Sequence, residues 1–168
     1  MIDGVLGLES ALALRRQLRG QGKKLVFTNG CFDILHVGHV RYLAEARRLG
    51  DALLVALNSD SSVRTLKGPM RPVQSASDRA EVLLALRAVD YVVVFDDATA
   101  ERLVRLLRPD VYVKGGDYDP AATEGPRYLP EARAVAEYGG QVAIIPFVAG
   151  YSTTGILRAA GDEGNERT

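Results

Sequence analysis

Two histidines placed three positions apart form the first candidate for chemistry in this chain. His36 and His39 are its only histidines, and they flank Gly38 within TNGCFDILHVGHVRYL, residues 28–43. Imidazole nitrogens can donate hydrogen bonds to phosphate oxygens or ligate a metal ion. A zinc site needs three or four protein ligands, and the one thiol, Cys31, lies in an apolar turn. The pair therefore favours anion binding over a metal site, with a structural helix cap as the alternative.

The residues around the pair indicate a strand that turns into a helix. The strand KLVFT occupies residues 24–28, a turn follows at Asn29 and Gly30, and a helical pattern begins near Gly38. Both histidines then stand at the amino end of a helix, where free N–H groups and the helix dipole favour negative charge. Gly38 lets a phosphate approach the backbone because it carries no Cβ atom. This arrangement suits an α-phosphate that gains charge in a transition state.

Apolar runs of strand length alternate with helical patterns along the chain. The runs are rich in Val and Ile and do not alternate with polar residues, which is typical of parallel strands covered on both faces. They occupy residues 24–28, 52–58, 91–95, 110–114 and 142–147, and helical patterns occupy residues 8–19, 40–50, 77–87 (capped by Ser77) and 98–109. The series predicts an α/β fold, a Rossmann-like open parallel sheet of about five strands with helices on both faces. We expect one domain over residues 1–160, with a lead-in and capping helix over 1–22 and a flexible tail over 161–168.

Length and charge narrow the class of protein. The 168 residues suffice for one hydrophobic core, and Lys plus Arg equals Asp plus Glu at 21 each, so no net field attracts nucleic acid or anionic lipid. A single cysteine excludes an internal disulfide and fits a reducing cytosol. No apolar run reaches the roughly eighteen residues of a membrane span. We expect a cytoplasmic protein with neither a nucleic acid nor a membrane as partner.

Glycine and polar residues are concentrated after each predicted strand. Ligands bind beyond the carboxyl ends of the strands in open parallel sheets, so these segments are where a site is expected. They are residues 29–39, 58–72, 95–97, 114–120 and 146–155. Neither a Walker loop nor the Gly-x-Gly-x-x-Gly dinucleotide fingerprint is present to explain them.

Residues 30–39 resemble the signature of the nucleotidyltransferase superfamily of cytidylyltransferases, G-x-F-D-x-x-H-x-G-H. All six fixed positions are matched, by Gly30, Phe32, Asp33, His36, Gly38 and His39. A second element of that family, I-S-T-T-x-I, appears as Y-S-T-T-G-I at residues 151–156, with tyrosine replacing isoleucine. Alone, this turn would be an ordinary helix N-cap. Because both elements are present, the chain resembles members of this superfamily. The resemblance implies that it is a nucleotidyltransferase.

The middle of the chain resembles the heptose-phosphate adenylyltransferase branch, through residues 62–95 and DVYVKGGDY at 110–118. This resemblance implies transfer of AMP from ATP, with Mg²⁺, to D-glycero-manno-heptose 1-phosphate, for ADP-heptose and lipopolysaccharide or other glycan synthesis. The branch occurs as half of a bifunctional kinase-transferase or as a separate chain. A kinase domain would need about three hundred further residues. We therefore expect a stand-alone transferase, a separate heptose kinase and a homodimer.

The resemblance also implies roles for individual residues. His36, His39 and Lys67 are the expected catalytic residues, at the α-phosphate and the triphosphate. Arg71, Arg79 and Arg127 are the expected sugar-phosphate contacts, since guanidinium groups bind phosphate in a bidentate manner. The expected nucleotide contacts are Thr28, Asn29, Gly30, Phe32, Asp33, Gly38, Lys114, Gly116, Asp117, Ser152, Thr153 and Thr154. No general base is required, because a phosphate monoester with a second pKa near 6 is already largely ionised.

Plainer interpretations of these residues remain open. Lys67 can be a solvated loop lysine, Asp33 an Asx turn, and each arginine an ordinary surface residue. Asp117 and Asp119 invite a metal site, but two loop carboxylates do not establish one, so no protein ligand to Mg²⁺ is assigned. The same chemistry can also act on CTP with glycerol 3-phosphate, or on ATP with flavin mononucleotide or phosphopantetheine. A binding protein without turnover is the remaining alternative.

Overall fold

Six parallel strands form one sheet whose strand order reverses at its centre. The computed structural model describes residues 2–116, 118–146, 153 and 155–157. The strands are β1 Val5–Leu6, β2 Leu25–Gly30, β3 Ala52–Asn58, β4 Tyr91–Phe95, β5 Val111–Gly115 and β6 Gln141–Ile145. Their spatial order is β1-β4-β3-β2-β5-β6, and every pairing is parallel. The predicted Rossmann-like sheet is confirmed. The unpredicted sixth strand, β1, has two residues, too few to carry a periodic signal.

Six helices connect the strands of the sheet. They are α1 Leu8–Gly20, α2 Val37–Arg47, α3 Asp60–Lys67, α4 Ala76–Leu84, α5 Glu101–Leu107 and α6 Pro130–Ala136. The N-cap of α4 is Ser75, whose hydroxyl accepts the N–H of Asp78, so the predicted Ser77 cap was wrong. Lys67 was expected on a loop, but it is the last residue of α3, a helix that the sequence pattern did not predict.

The helices cover both faces of the sheet, which gives two hydrophobic clusters. One lies under α1, α5 and α6 and takes Phe27 from β2, and the other lies under α2 and α4 and takes Val26 from the same strand. Successive side chains of a strand point to opposite faces, so a strand covered twice is apolar throughout. All seven residues of β3 are buried. Among the described residues, no helix is long and apolar enough to span a membrane.

A buried ion pair closes the amino edge of the sheet. Arg15 of α1 donates from Nη1 and Nη2 to the two carboxylate oxygens of Asp110 at 2.8 and 2.9 Å, and from Nε to Leu107 O at 3.1 Å. Asp110 also accepts the N–H of Leu25, the first residue of β2, at 2.7 Å. Burial by itself would raise the pKa of Asp110, but the bonds from Arg15 and Leu25 outweigh it and hold the pKa low. One arginine thus joins α1 to the beginnings of β2 and β5.

Replacing this arginine should destabilise the fold. In Arg15→Met, Asp110 and the Leu107 carbonyl lose the hydrogen bonds that Arg15 donates. We expect the free energy of unfolding to fall by about 2 kcal/mol. This is less than the cost for a fully buried pair, because Asp110 is partly exposed. Urea denaturation measures the change. Arg16→Met, at an exposed neighbouring position, is the control and should stay within about 0.5 kcal/mol of the unaltered chain. Equal stability of the two variants would contradict this role of Arg15.

Candidate active site

The candidate site lies where the order of the strands reverses. Strand β2 lies between β3 and β5, and the chain crosses to opposite sides of the sheet from this point. The crevice outside the carboxyl ends of such strands is the usual ligand site of open α/β sheets. The histidine motif leaves β2 at this crevice, and Lys114 and Gly115 end β5 beside it. Two of the segments marked by the sequence are therefore brought together.

The turn after β2 is held in an unusual backbone conformation. Phe32 has a φ of 44°, in the left-handed region that non-glycine residues rarely adopt. Its ring is buried in the cluster under α2 and α4, and a Cβ atom on Gly30 would come within 3.0 Å of Cε2 of that ring. Core packing of Phe32 thus stabilises a conformation that costs free energy locally. In this structure Gly30 and Phe32 shape the turn, and their predicted nucleotide contacts stay predictions.

The rings of the two histidines lie against each other at the amino end of α2, tilted by 34°. His36 is the N-cap residue, and its Nδ1 accepts the N–H of Gly38 at 3.1 Å. Because that nitrogen is an acceptor, neutral His36 carries its proton on Nε2, which can donate to a ligand. The His39 ring lies 4.0 Å from the His36 ring and 5.4 Å from the Phe32 ring, measured between centroids. Nδ1 of His39 is buried and has no hydrogen-bond partner among the described residues.

Both histidines of the free protein are neutral at pH 7. Burial lowers the pKa of His36, and burial followed by the charges of His36 and Lys67 lowers the pKa of His39 to about 4. A neutral imidazole donates one hydrogen bond but carries no charge. The pair can therefore bind phosphate oxygens by donation, while positive charge must come from other side chains.

Three cations surround the turn and supply this charge. Arg79 donates to Cys31 O and Lys114 to Asn29 O. Burial raises the pKa of Cys31, whereas the charges of Lys67, Arg79 and Lys114 act to lower it. Lys67 is exposed at the end of α3, and Lys114 is partly buried. Lys67 and Lys114 thus lie near the motif turn, and their predicted contacts with the nucleotide stay predictions.

Asp33 holds a distant loop rather than facing the crevice. Its carboxylate, 3% exposed, accepts from Arg71 Nε and from the backbone N–H groups of Val73 and Gln74 at 2.8 and 3.3 Å. Burial alone would raise the pKa of Asp33, but these bonds outweigh it and lower the pKa. These N–H groups belong to a loop some forty residues away, so neither an Asx turn nor a free carboxylate describes Asp33. Asp33 therefore positions that loop against the motif.

Arg71 keeps one donor for a ligand. Its Nε is bound to Asp33, whereas its Nη2 is buried and lacks a partner among the described residues. Buried polar groups nearly always have a hydrogen-bond partner, so an unpaired guanidinium nitrogen beside a crevice marks a place for an acceptor. The predicted phosphate contact of Arg71 is compatible with this geometry and stays a prediction.

Arg79 does not fit its predicted contact with a sugar phosphate. Its side chain is 1% exposed, and it donates to Cys31 O at 2.6 Å, Asn58 O at 2.9 Å and Gln74 O at 3.1 Å. A fourth bond, at 2.7 Å, joins it to the Asp60 carboxylate. The side chain of Arg79 is buried, and its hydrogen bonds connect the motif, the end of β3 and the loop before α4.

Thr28 also points away from the crevice. It is fully buried, and its hydroxyl lies 2.6 Å from the Tyr42 hydroxyl, which in turn donates to Val113 O. Because the Tyr42 proton is used by Val113, Thr28 is the donor in this pair. The predicted nucleotide contact of the Thr28 side chain is therefore not supported, and the residue instead links β2 to α2 and β5.

The remaining predicted contacts differ in what can be said of them. The Thr153 hydroxyl donates to Ile34 O at 3.3 Å, which brings one residue of the Ser/Thr turn to the motif. Gly116 is buried with a φ of 135°, a conformation that suits glycine alone, and Arg127 is exposed between β5 and α6. Asp117, Ser152 and Thr154 lie outside the described residues, as does the predicted tail at 161–168.

Two buried polar residues near the crevice were not predicted. Tyr112 lies in β5 with its hydroxyl on Asn29, and Glu131 lies at the start of α6, where it accepts the N–H of Ala100. In the sequence, Tyr112 belongs to the apolar run DVYVK and is typical of a strand residue. Its polar end, which must find a partner when buried, was the available signal.

Comparison with known proteins identifies the family. The model of the family described as cytidylyltransferase-like matches residues 27–159. The chain belongs to the cytidylyltransferase-like family. Membership confirms the nucleotidyltransferase assignment that the histidine motif predicted. The match includes the strand before the motif and the Ser/Thr turn after β6.

Relatives within this family include two long bacterial proteins. The chain is 51% identical over 164 residues to the bifunctional protein HldE of Syntrophotalea carbinolica, covering 94% of this chain and 32% of that protein. It is 49% identical over 166 residues to the bifunctional protein HldE of Geobacter metallireducens, covering 96% and 31%. The chain therefore spans about a third of the length of these relatives.

Two solved structures share the fold. The lipopolysaccharide core biosynthesis protein of Thermoplasma volcanium is 28% identical with a TM-score of 0.57, covering 76% of this chain and 98% of that one. The pantoate-beta-alanine ligase of Francisella tularensis has a TM-score of 0.61 over 98% of this chain and 79% of its own, at 13% identity. At that identity the second likeness concerns the fold alone.

The buried ties of Arg79 lead to a test by stability. Arg79→Lys keeps the charge but cannot reach three carbonyls and a carboxylate at once, so buried acceptors lose their donors. We expect a loss of about 3 kcal/mol in urea denaturation. Arg64→Lys, at an exposed position of α3, is the matched control and should change stability little. A similar small change in both variants would refute the tie.

The low pKa of His39 predicts how stability varies with pH. Between the ordinary value of 6.5 and about 4, unfolded His39 takes up a proton that folded His39 does not, so this residue makes the folded state less stable as pH falls. We compare the free energy of unfolding of the unaltered chain and His39→Asn from pH 7 to pH 4.5. The unaltered chain should lose more stability than the variant over this range. A difference independent of pH would show that folded His39 titrates normally.

Proposed function

We propose that this chain transfers AMP from ATP to D-glycero-manno-heptose 1-phosphate and releases pyrophosphate, as a step in ADP-heptose and surface-glycan synthesis. The observation that carries the proposal is the pair of adjoining histidine rings at the amino end of α2, with the proton of His36 directed to Nε2 by the Gly38 N–H. Sequence identity of about 50% to the HldE proteins supports the choice of substrate. So does the likeness to a structure titled a lipopolysaccharide core biosynthesis protein.

In the proposed reaction a phosphate oxygen of the sugar 1-phosphate attacks the α-phosphorus of ATP. The new P–O bond forms as the bond from the α-phosphorus to the bridging oxygen breaks, and pyrophosphate leaves with that electron pair. The attacking phosphate is largely ionised at neutral pH, so no side chain has to remove a proton. The protein's task is alignment and stabilisation of charge on the α-phosphate.

Individual residues supply this stabilisation in the proposal. His36 and His39 donate hydrogen bonds to α-phosphate oxygens, and Lys67 and Lys114 provide positive charge. Ser152, Thr153 and Thr154 bind the β- and γ-phosphates in this proposal, and for Thr153 this requires its hydroxyl proton to exchange Ile34 O for a phosphate oxygen. Arg71 uses its unpaired Nη2 for the sugar phosphate, a role that we also keep for Arg127 as a prediction from the resemblance.

Magnesium fits this site as a companion of the triphosphate. Among the described residues no group of three or more His, Cys, Asp or Glu side chains is arranged to hold a metal ion, and Asp33 is already bound to Arg71. Mg²⁺ retains several waters and commonly binds substrate phosphates with few protein ligands, so a site without a protein cage suits it. When bound, it neutralises charge on the phosphates.

The proposal also includes the location, the oligomeric state and the source of the sugar phosphate. We propose a cytoplasmic enzyme, for which the single thiol Cys31 is the supporting observation, acting as a homodimer. Its sugar phosphate is proposed to come from a heptose kinase. The relatives are named bifunctional, and the chain matches about a third of their length.

Pyrophosphate release tests the function. Each of the four nucleoside triphosphates is combined with Mg²⁺ and with a panel of heptose 1-phosphates, glycerol 3-phosphate, flavin mononucleotide and phosphopantetheine. We expect turnover with ATP and a heptose 1-phosphate, and a fall in kcat of about a hundredfold or more in His36→Ala and His39→Ala, which lose a donor to the transition state. Lys23→Ala, an exposed position away from the motif, is the control.

The alternatives give different outcomes in this assay. Turnover only with another acceptor would keep the chemistry and overturn the sugar. Nucleotide binding without pyrophosphate release from any pair would support a binding protein in place of an enzyme.

A further inference from the structure

A buried tyrosine and a lysine share one amide at the crevice. The Tyr112 hydroxyl, on a side chain that is fully buried, donates to Asn29 Oδ1 at 2.7 Å. Lys114 Nζ donates to the same oxygen at 3.2 Å and to the Asn29 carbonyl at 3.3 Å. Lysine has no acceptor, so its contact fixes the amide with its oxygen toward both donors. The three side chains therefore form a connected group across β2 and β5.

A buried carboxylate lies behind this group. Glu131 is 3% exposed and accepts the N–H of Ala100 at 2.9 Å, which fixes it at the start of α6. Its charge, second to burial, raises the pKa of Tyr112, so the tyrosine stays a hydroxyl that can donate. The same charge opposes the effect of burial, which lowers the pKa of Lys114. Glu131 thus favours the protonated form of both donors.

Within the described part of the chain, the hydrogen bonds of Lys114 leave one of its N–H donors without an acceptor. An ammonium group has three N–H donors, and Asn29 accepts two of them. Lys114 lies near the end of β5, where the strand order reverses and a ligand is expected. Asn29 directly precedes Gly30 of the motif, so the position of the ammonium is fixed relative to the histidine pair.

We propose that Tyr112, acting through Asn29, is a positioning residue for Lys114, whose third N–H binds the triphosphate of the nucleotide. The proposal rests on the proposed use of ATP. It makes Tyr112, which never touches the ligand, a determinant of nucleotide affinity. The Tyr112 hydroxyl orients the Asn29 amide, the amide oxygen orients the Lys114 ammonium, and the ammonium donates to the phosphate.

A double-mutant cycle tests this coupling. Dissociation constants for ATP with Mg²⁺ are measured by calorimetry for the unaltered chain, Tyr112→Phe, Lys114→Met and the double variant. We expect each single change to weaken ATP binding about tenfold, as for the loss of a charge-assisted hydrogen bond. The double variant should bind no more weakly than Lys114→Met. Additive losses, or unchanged affinity in Tyr112→Phe, would overturn the proposal.

Two controls separate positioning from general destabilisation. Tyr138→Phe removes a hydroxyl that donates to Pro109 O, at the start of β5 away from the crevice, and should leave ATP affinity unchanged at a similar thermal midpoint. Equal weakening in Tyr138→Phe would overturn the positioning role. Glu131→Gln keeps an acceptor for Ala100 but removes the charge that favours protonated Lys114. As pH rises, the ATP affinity of this variant should therefore decline at a lower pH than that of the unaltered chain. An unchanged pH profile would count against the link from Glu131 to Lys114.

The two proposals fail in different ways. A coupled cycle without turnover on any acceptor would overturn the proposed function and keep the positioning role. Normal turnover with an additive cycle would do the reverse. Absence of ATP binding to the unaltered chain would overturn both.

Discussion

The structure around the site depends on one buried guanidinium. Arg79 draws together the carbonyl of Cys31 in the motif turn, that of Asn58 at the end of β3 and that of Gln74 before α4. These groups come from three separate parts of the chain, and one side chain donates to all of them. Burying a guanidinium is costly, and the carboxylate of Asp60 with three carbonyls offsets that cost. With this tie in place, Asp33 can reach the loop at residues 71–74 and set it against the motif.

Around that tie the site separates charge from hydrogen bonding. Burial favours the neutral form of the histidines at α2, and the cations Lys67 and Lys114 lie near Cys31 in the turn that precedes them. In the proposed reaction, a phosphate would meet directional donors on the histidines and positive charges on the longer lysine side chains. Such division fits a reaction in which charge must be stabilised without transfer of a proton from the protein.

Much of this arrangement was predictable from the sequence, because strands covered on both faces leave continuous apolar runs and the motif has fixed spacing. The strand β1 was missed since two residues hold no pattern. Ser75 and Ser77 are both plausible caps, and the choice is made by Asp78, three residues after Ser75. Arg79 and Thr28 were predicted to contact ligands, because the identity of a single polar residue does not show whether its side chain is buried. The role of Asp33 depends on a loop far along the chain, which only the folded structure brings near.

The two edges of the sheet differ in completeness. At the amino edge, Arg15 and Asp110 satisfy each other and the neighbouring backbone. Near the carboxyl edge, His39 Nδ1 and Arg71 Nη2 are buried polar atoms without partners among the described residues. A protein interior rarely leaves such atoms unanswered. A ligand that supplies partners to these two atoms would complete the hydrogen bonding of the interior, so its binding is expected to stabilise the fold.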